Sequence, residues 1–221
     1  MSLFGKIFSK SSAKGGKVAP SPDMHIVAGL GNPGREYECT RHNIGWMLVD
    51  EVARAASGSW KKEPRFNAEL CRVKLARKDV FLIKPLTYMN DSGSSIGKLM
   101  RYYGVKPEHV IIAHDEYQIP VGEIKVSIGG GDGGHNGIAS VISHIGNTFV
   151  RYRLGIGSKR QLENGLKGFV LGKFEQDEME QFRGQIADFA SGISLVVDRG
   201  PVIGMNQLNK RSRNNDRNAT A

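Results

Sequence analysis

The sequence predicts an α/β protein, a single-domain three-layer α/β/α sandwich built on a mixed, mostly parallel sheet. Three observations lead there. Short apolar runs of strand length alternate with stretches whose apolar residues recur at helical spacing. One pair of strand-like runs is joined by a short polar turn, a hairpin, so the sheet is not wholly parallel. The chain has 221 residues, 39% of them hydrophobic, which suits one ordinary globular core rather than two.

Residues 25–30 are the first strand, and Gly31-Asn32-Pro33-Gly34 ends it in a tight loop. Over residues 44–56, Ile44, Met47, Leu48, Val52 and Ala55 recur with helical period while Asp50, Glu51 and Arg54 fall between them. That is an amphipathic helix. Residues 66–75 and 80–84 are strands separated by Ala76-Arg77-Lys78-Asp79, and Pro85 stops the second. Ile96, Leu99, Met100 and Tyr103 mark a helix, residues 110–113 a buried strand, and residues 124–128 a strand running into Gly129-Gly130-Gly131. Ile138, Val141, Ile142 and Ile145 fit the i, i+3, i+4, i+7 pattern of a helix without a miss. Residues 151–156 form a further strand and residues 176–197 a last helix, acidic at its start as the helix dipole favours. There is no internal repeat.

The formal charge of +9 divides unevenly. Residues 1–23 set four lysines against Asp23, and residues 205–221 set Lys210, Arg211, Arg213 and Arg217 against Asp216, a net +3 at each end. Both segments are poor in apolar residues, so a basic N-terminal extension (1–23) and a basic C-terminal tail (201–221) are expected to be disordered around a folded domain at 24–200. An anionic partner must then be held by a local basic face. No run reaches the roughly 18 apolar residues of a membrane helix, and the first residues lack a secretory signal, so a soluble cytoplasmic protein is expected. The lysines among Met1, Leu3, Phe4, Ile7 and Phe8 leave an organelle-targeting peptide as the alternative, against which stands the lack of arginine. Cys39 and Cys71 supply neither a disulfide framework nor a zinc site.

Three motifs match well-known patterns and fail on context. Gly29-Leu30-Gly31-Asn32-Pro33-Gly34 has the spacing of a dinucleotide fingerprint, but no helix opens at its third glycine. Gly93-Ser94-Ser95-Ile96-Gly97 has the spacing of a nucleophile elbow, yet the nearest strand ends near Pro85, so Ser94 and Ser95 belong to a first helical turn and Gly97 to close packing. The glycine run at 129–134 lacks the Gly-Lys-Ser/Thr ending of a phosphate loop.

What remains are polar residues where strands end, the place where α/β sheets bind ligands. Asn32 follows the first strand, and His42 stands between Arg41 and Asn43 just before a helix. Asn90 follows Thr87-Tyr88-Met89, Asp115 and Glu116 follow His114, and Asn136 opens the helix after Gly134-His135. Singly, each is an ordinary cap or turn residue. Together, with no suitably placed Ser or Cys nucleophile, they point to a hydrolase that uses a general base and forms no covalent intermediate.

On these residues the chain resembles the bacterial-type peptidyl-tRNA hydrolases over about residues 24–197. The matching segments are 29–34, Tyr37, Thr40-Arg41-His42-Asn43, 84–93, His114-Asp115-Glu116, 129–137, 153–157 and 168–173, in order and at the right spacing. The resemblance implies a monomer that hydrolyses the ester between a peptide and the 3′ end of tRNA, with no metal and no cofactor. It assigns His42 as the base, Asp115 as its supporting carboxylate, and Asn32, Asn90 and Asn136 as substrate-site asparagines. Tyr37, Tyr88 and Met89 fall on positions lining the same cleft, and Lys125 and Arg153 on basic positions that hold the tRNA acceptor stem. Two segments depart from the pattern: Tyr117-Gln118-Ile119 replaces the usual Leu-Asp-Leu, and Ser158-Lys159-Arg160 stands where a proline is common.

Overall fold

The computed structural model describes residues 24–157 and 165–218, with side chains as far as Asn209. Seven strands, β1 (His25–Gly29), β2 (Lys61–Glu63), β3 (Ala68–Leu75), β4 (Lys78–Pro85), β5 (Val110–Glu116), β6 (Ile124–Ile128) and β7 (Val150–Gly155), form one sheet in the order β2-β3-β4-β1-β5-β7-β6. The central strands β4, β1, β5 and β7 run parallel, and β2, β3 and β6 join antiparallel at the two sides. Six helices cover it: α1 (Ile44–Ala55), α2 (Ser92–Tyr103), α3 (Asn136–Ile145), α4 (Gly165–Leu171), α5 (Gln176–Arg199) and α6 (Pro201–Asn218).

Side chains alternate across the strands and so split the core in two. Val27, Leu82, Ile111 and Tyr152 pack beneath α1 and α5, while Ile26, Ile83 and Ile112 pack beneath α2 and α3. The central strands therefore read as continuous apolar runs, since both of their faces are covered. The hairpin is tighter than the sequence suggests. Ala76 and Arg77, at φ 47° and 69°, make a two-residue loop of the twist that hairpins favour, so β4 begins at Lys78.

Over residues 201–209 the structure departs from the expected disordered tail: α6 begins at Pro201, immediately after the α5 cap. Leu208 is buried, and the Asn209 side chain accepts from Val126 N–H at 2.8 Å and donates to Val126 C=O at 3.0 Å. β6 is an edge strand with one unpaired row of backbone groups, and a carboxamide satisfies one residue's donor and acceptor together. Mean composition concealed this, because the docking falls to a few residues, Leu208 and Asn209 with Gly204 against Val196 and Met205 packed on the same core. The expectation for residues 1–23 lies outside the described residues, as does that for Ser158-Lys159-Arg160.

Because β1, β4 and β5 are parallel, their C-terminal ends share one edge. Two glycines bring α1 down onto that edge. A Cβ at Gly45 would strike the Ala113 carbonyl and the Leu30 backbone, and one at Gly29 would strike Gly45. The first glycine of the G-x-G spacing is thus a packing residue that seats the start of α1 over β5. In the elbow-like stretch, Ser95 Oγ donates to the Asn67 carbonyl at 3.2 Å, and the close approach falls at Gly93, against the Ser140 backbone, rather than at Gly97.

Candidate active site

Thr40 leads into a single 3-10 turn, Arg41–Asn43, that ends where α1 begins. This turn delivers His42 to the end of β5. His42 Nδ1 lies 2.9 Å and 3.0 Å from the two Asp115 carboxylate oxygens, and both side chains are buried. A carboxylate can only accept, so Nδ1 carries the proton and Nε2 keeps its lone pair. A second imidazole shares the same carboxylate: His135 Nε2 lies 2.9 Å from Asp115 Oδ1. His135 is also the N-cap of α3, its Nδ1 accepting from the Gly137 and Ile138 N–H groups at 3.1 and 3.3 Å. Those donors fix the His135 tautomer with its proton on Nε2, pointing at Asp115.

Burial by itself would raise the Asp115 pKa, but the electrostatic attraction of His135 and His42, whose N–H groups both point at the carboxylate, outweighs it and holds the carboxyl well below its usual range. His114 behaves oppositely. Complete burial, with His135 beside it, pushes its pKa down to about 3, and its Nδ1–H donates to the Asp115 backbone carbonyl at 2.8 Å. Its ring meets His135 edge-on at 5.0 Å. His42, Asp115 and His135 bring ligand-type atoms within 4.8 Å of one another, yet the two nitrogens that face Asp115 both carry protons. A metal on His135 Nε2 would move that proton to Nδ1, against two backbone N–H donors. This arrangement suits hydrogen bonding and disfavours a metal.

Asn32 is held at three atoms. Its N–H donates to Asn43 Oδ1 at 2.9 Å, its carbonyl accepts from Asn43 Nδ2 at 2.9 Å, and its Oδ1 accepts from Met89 N–H at 2.8 Å. The Nδ2 donor is left for the cleft. The cleft is a cavity of about 830 Å³ lined by Asn32, His42, Tyr88, Met89, Asn90, Asp115, Asn136 and Arg153 among others. Eight of the ten residues singled out from the sequence therefore converge. Lys125 lies just outside, directly across the antiparallel ladder from Arg153, so the two cations sit side by side on one face of the sheet. Tyr37 is the exception. It is not among the lining residues; it lies in a turn opened by Gly34, at φ 120°, and its carbonyl accepts from Thr40 N and Oγ1 at 3.1 and 2.8 Å.

Sequence reasoning missed His135, Asn43 and the α4 wall formed by Leu166, Lys167, Val170 and Leu171. Position gave a signal for the first, since His135 immediately precedes a strongly periodic helix, where a capping side chain belongs. It also missed that the glycine run is itself wall: residues 129–134 line the cavity, and Arg151 holds them by donating to the carbonyls of Gly130, at 2.6 Å, and Gly131. The departure at Tyr117-Gln118 lies on the cavity rim, where Gln118 Nε2 donates to the Tyr117 hydroxyl at 3.0 Å.

An α/β sheet that offers a paired imidazole and carboxylate in a polar cavity, with no serine or cysteine bonded to that imidazole among the described residues, has the architecture of a hydrolase without a protein nucleophile. Comparison with known proteins narrows the class. The profile of the peptidyl-tRNA hydrolase family matches residues 26–216, and the chain belongs to that family. It is 40% identical over 184 residues to the peptidyl-tRNA hydrolase of Rubrobacter xylanophilus, covering 83% of this chain and 99% of that one. It is 42% identical over 178 residues to that of Neisseria gonorrhoeae, covering 80% and 92%. The crystal structure of peptidyl-tRNA hydrolase from Acinetobacter baumannii superposes with a TM-score of 0.79 at 38% identity, covering 85% of this chain and 95% of that one.

Proposed function

We propose that this protein hydrolyses the ester joining a peptide, or an N-blocked amino acid, to the 3′ end of tRNA, with His42 as general base. The observation that carries the reading is the Asp115 carboxylate bonded to His42 Nδ1, which leaves Nε2 as a base within a substrate-sized cavity. Nε2 takes a proton from water as the water oxygen attacks the ester carbonyl, and Asp115 stabilises the imidazolium that forms. The Asn32 amide donates to the developing oxyanion. The tetrahedral intermediate then expels the ribose oxygen, which recovers the proton from the imidazolium. Every atom of this cycle comes from substrate, water and side chains, so it needs no cofactor.

Asn90 and Asn136 are exposed on the cavity rim and offer uncharged donors and acceptors that read peptide groups whatever their side chains. Tyr88, 61% exposed, supplies a flat apolar surface beside them. Lys125 and Arg153 hold acceptor-stem phosphates, contacts that position RNA without reading its bases. We place the enzyme in the cytoplasm as a monomer. Among the described residues no helix is long and apolar enough to cross a membrane.

The test is release of product from N-blocked aminoacyl-tRNA and from free aminoacyl-tRNA, each with and without chelator. Turnover of the blocked substrate alone, unchanged by chelator, is the expected result. No turnover of either would leave the family's fold without its activity here.

A further inference from the structure

The turn that carries His42 is anchored at three consecutive residues, each in a different direction. His42 binds Asp115 and Asn43 binds Asn32, whereas Arg41 points away from the chemistry toward the junction of α4 and α5. There Arg41 is 6% exposed. Its Nη1 donates to the Lys173 carbonyl at 2.7 Å and its Nη2 to Glu178 Oε2 at 2.6 Å. The guanidinium lies 4.5 Å from the Phe169 ring centre and 5.4 Å from that of Phe174. The backbone joins in, with Arg41 N–H donating to the Gly172 carbonyl at 2.9 Å and Thr40 bridging to Lys173. Glu178 Oε2 also accepts from Glu175 N–H at 2.9 Å, closing the capping box that starts α5.

We propose that Arg41 is a positioning residue of the hydrolytic reaction: it locks the turn bearing the base to the helix that walls the cavity. α4 contributes Leu166, Lys167, Val170 and Leu171 to that wall and ends at Leu171, one residue before the clamped Gly172-Lys173. Base and wall are thus set by one guanidinium. A planar fork suits the site, because two separate nitrogens reach the two acceptors while the delocalised plane lies near two aromatic rings; an ammonium would have to reach both acceptors from a single nitrogen. Without the fork the turn keeps His42 bonded to Asp115 but loses the strut that fixes its distance from the substrate. A shift of a fraction of an ångström in a reacting group is costly.

This inference rests on the reading of His42 as base, which His42→Ala tests separately. The experiment compares wild type, R41A, R41K, E178A and E178Q for kcat and KM, on N-blocked aminoacyl-tRNA and on an N-blocked aminoacyl ester of adenosine. Assays run well below each variant's melting temperature. R41A is expected to lose about 10- to 30-fold in kcat on both substrates, with KM for the tRNA substrate changed less than about 3-fold, and added methylguanidinium recovers part of the loss. R41K falls nearly as far. E178Q, which keeps an oxygen for Arg41 and for Glu175 N–H, loses less than E178A. A lowered melting temperature with kcat intact would overturn the proposal, as would a loss confined to KM. Should R41A not fold, the E178A and E178Q pair reads the same strut from its other end.

Discussion

Replacing Asp115 by asparagine removes the charge of the central carboxylate while keeping its shape, and turns one of its two acceptors into a donor. Oδ1 receives both His42 Nδ1–H and His135 Nε2–H at 2.9 Å, so an amide oxygen in its place can accept both, whereas an amide NH2 where Oδ2 stands, 3.0 Å from His42 Nδ1, works against the Nδ1–H tautomer. What disappears is the anion facing the imidazolium of the transition state. Two unit charges about 4 Å apart interact by about 4 kcal/mol at an effective dielectric of ~20, and the amide dipole retains part of that. The expected cost is therefore about 2–4 kcal/mol of transition-state stabilisation, or a fall in kcat of roughly 30- to 1,000-fold. The acidic limb of the pH–rate profile moves to lower pH, because an imidazole beside a neutral amide holds a proton less firmly than one beside a carboxylate. The assay is single-turnover hydrolysis of the adenosine ester over a pH series, with circular dichroism to verify the fold. A kcat within about 3-fold of wild type, on an unmoved profile, would refute the argument, because Asp115 would then contribute only its shape.

His42→Ala removes the lone pair assigned as base and is expected to lower kcat by about 10²-fold or more with tRNA affinity nearly unchanged, read by kinetics and filter binding. Changing Lys125 and Arg153 together to alanine is expected to weaken tRNA binding and to reduce the slope of log affinity against log salt by about 2, while hydrolysis of the adenosine ester hardly changes; equal losses on both substrates would remove them from the RNA track. His114 predicts a pH dependence of stability. Its folded pKa of about 3 lies below that of an unfolded histidine, about 6.5, so between those values the unfolded chain binds the extra proton and stability falls as pH drops. Between pH 6.5 and pH 5 this one group accounts for about 2 kcal/mol, so urea unfolding of His114→Asn at pH 7 and pH 5 should show a smaller acid loss than wild type by that amount. An equal loss in both proteins would mean that His114 takes up its proton while folded.

The elements legible in the sequence are those whose stabilisation is local or periodic. α3 was visible because its apolar stripe is complete, and β1 because both of its faces are buried. The site was legible as a list of loop residues, since polar groups at strand ends on a parallel sheet share one edge whatever the details. Features set by single long-range bonds were not. Asn209 docks α6 by pairing with Val126, 83 residues away, and no window of sequence contains both. α4 is short, and its role depends on the residues it walls. Tyr37 stands five residues from both Asn32 and His42, yet it is not among the residues that line the cavity.

Three imidazoles gather at Asp115, two on its carboxylate and His114 on its backbone carbonyl, and their hydrogen bonds favour His42 for the proposed role of base. His135 cannot act as the base. Its Nε2–H is directed at Asp115, and its Nδ1 lone pair accepts from the two N–H groups that begin α3, so neither nitrogen faces the cavity free of a protein partner. His114 cannot act either, since its Nδ1–H is bound to a backbone carbonyl and its buried Nε2 stays unprotonated down to about pH 3. Its neutrality is itself useful: a second cation beside Asp115 would repel the imidazolium that the reaction must form. Among the described residues, His42 alone of the three combines an Nδ1–H directed at the carboxylate with an Nε2 that meets no protein partner and a ring on the cavity wall. In the proposed mechanism, two of the three imidazoles are thus occupied by groups the fold needs anyway: a helix cap, a strand carbonyl, and the packing beneath them.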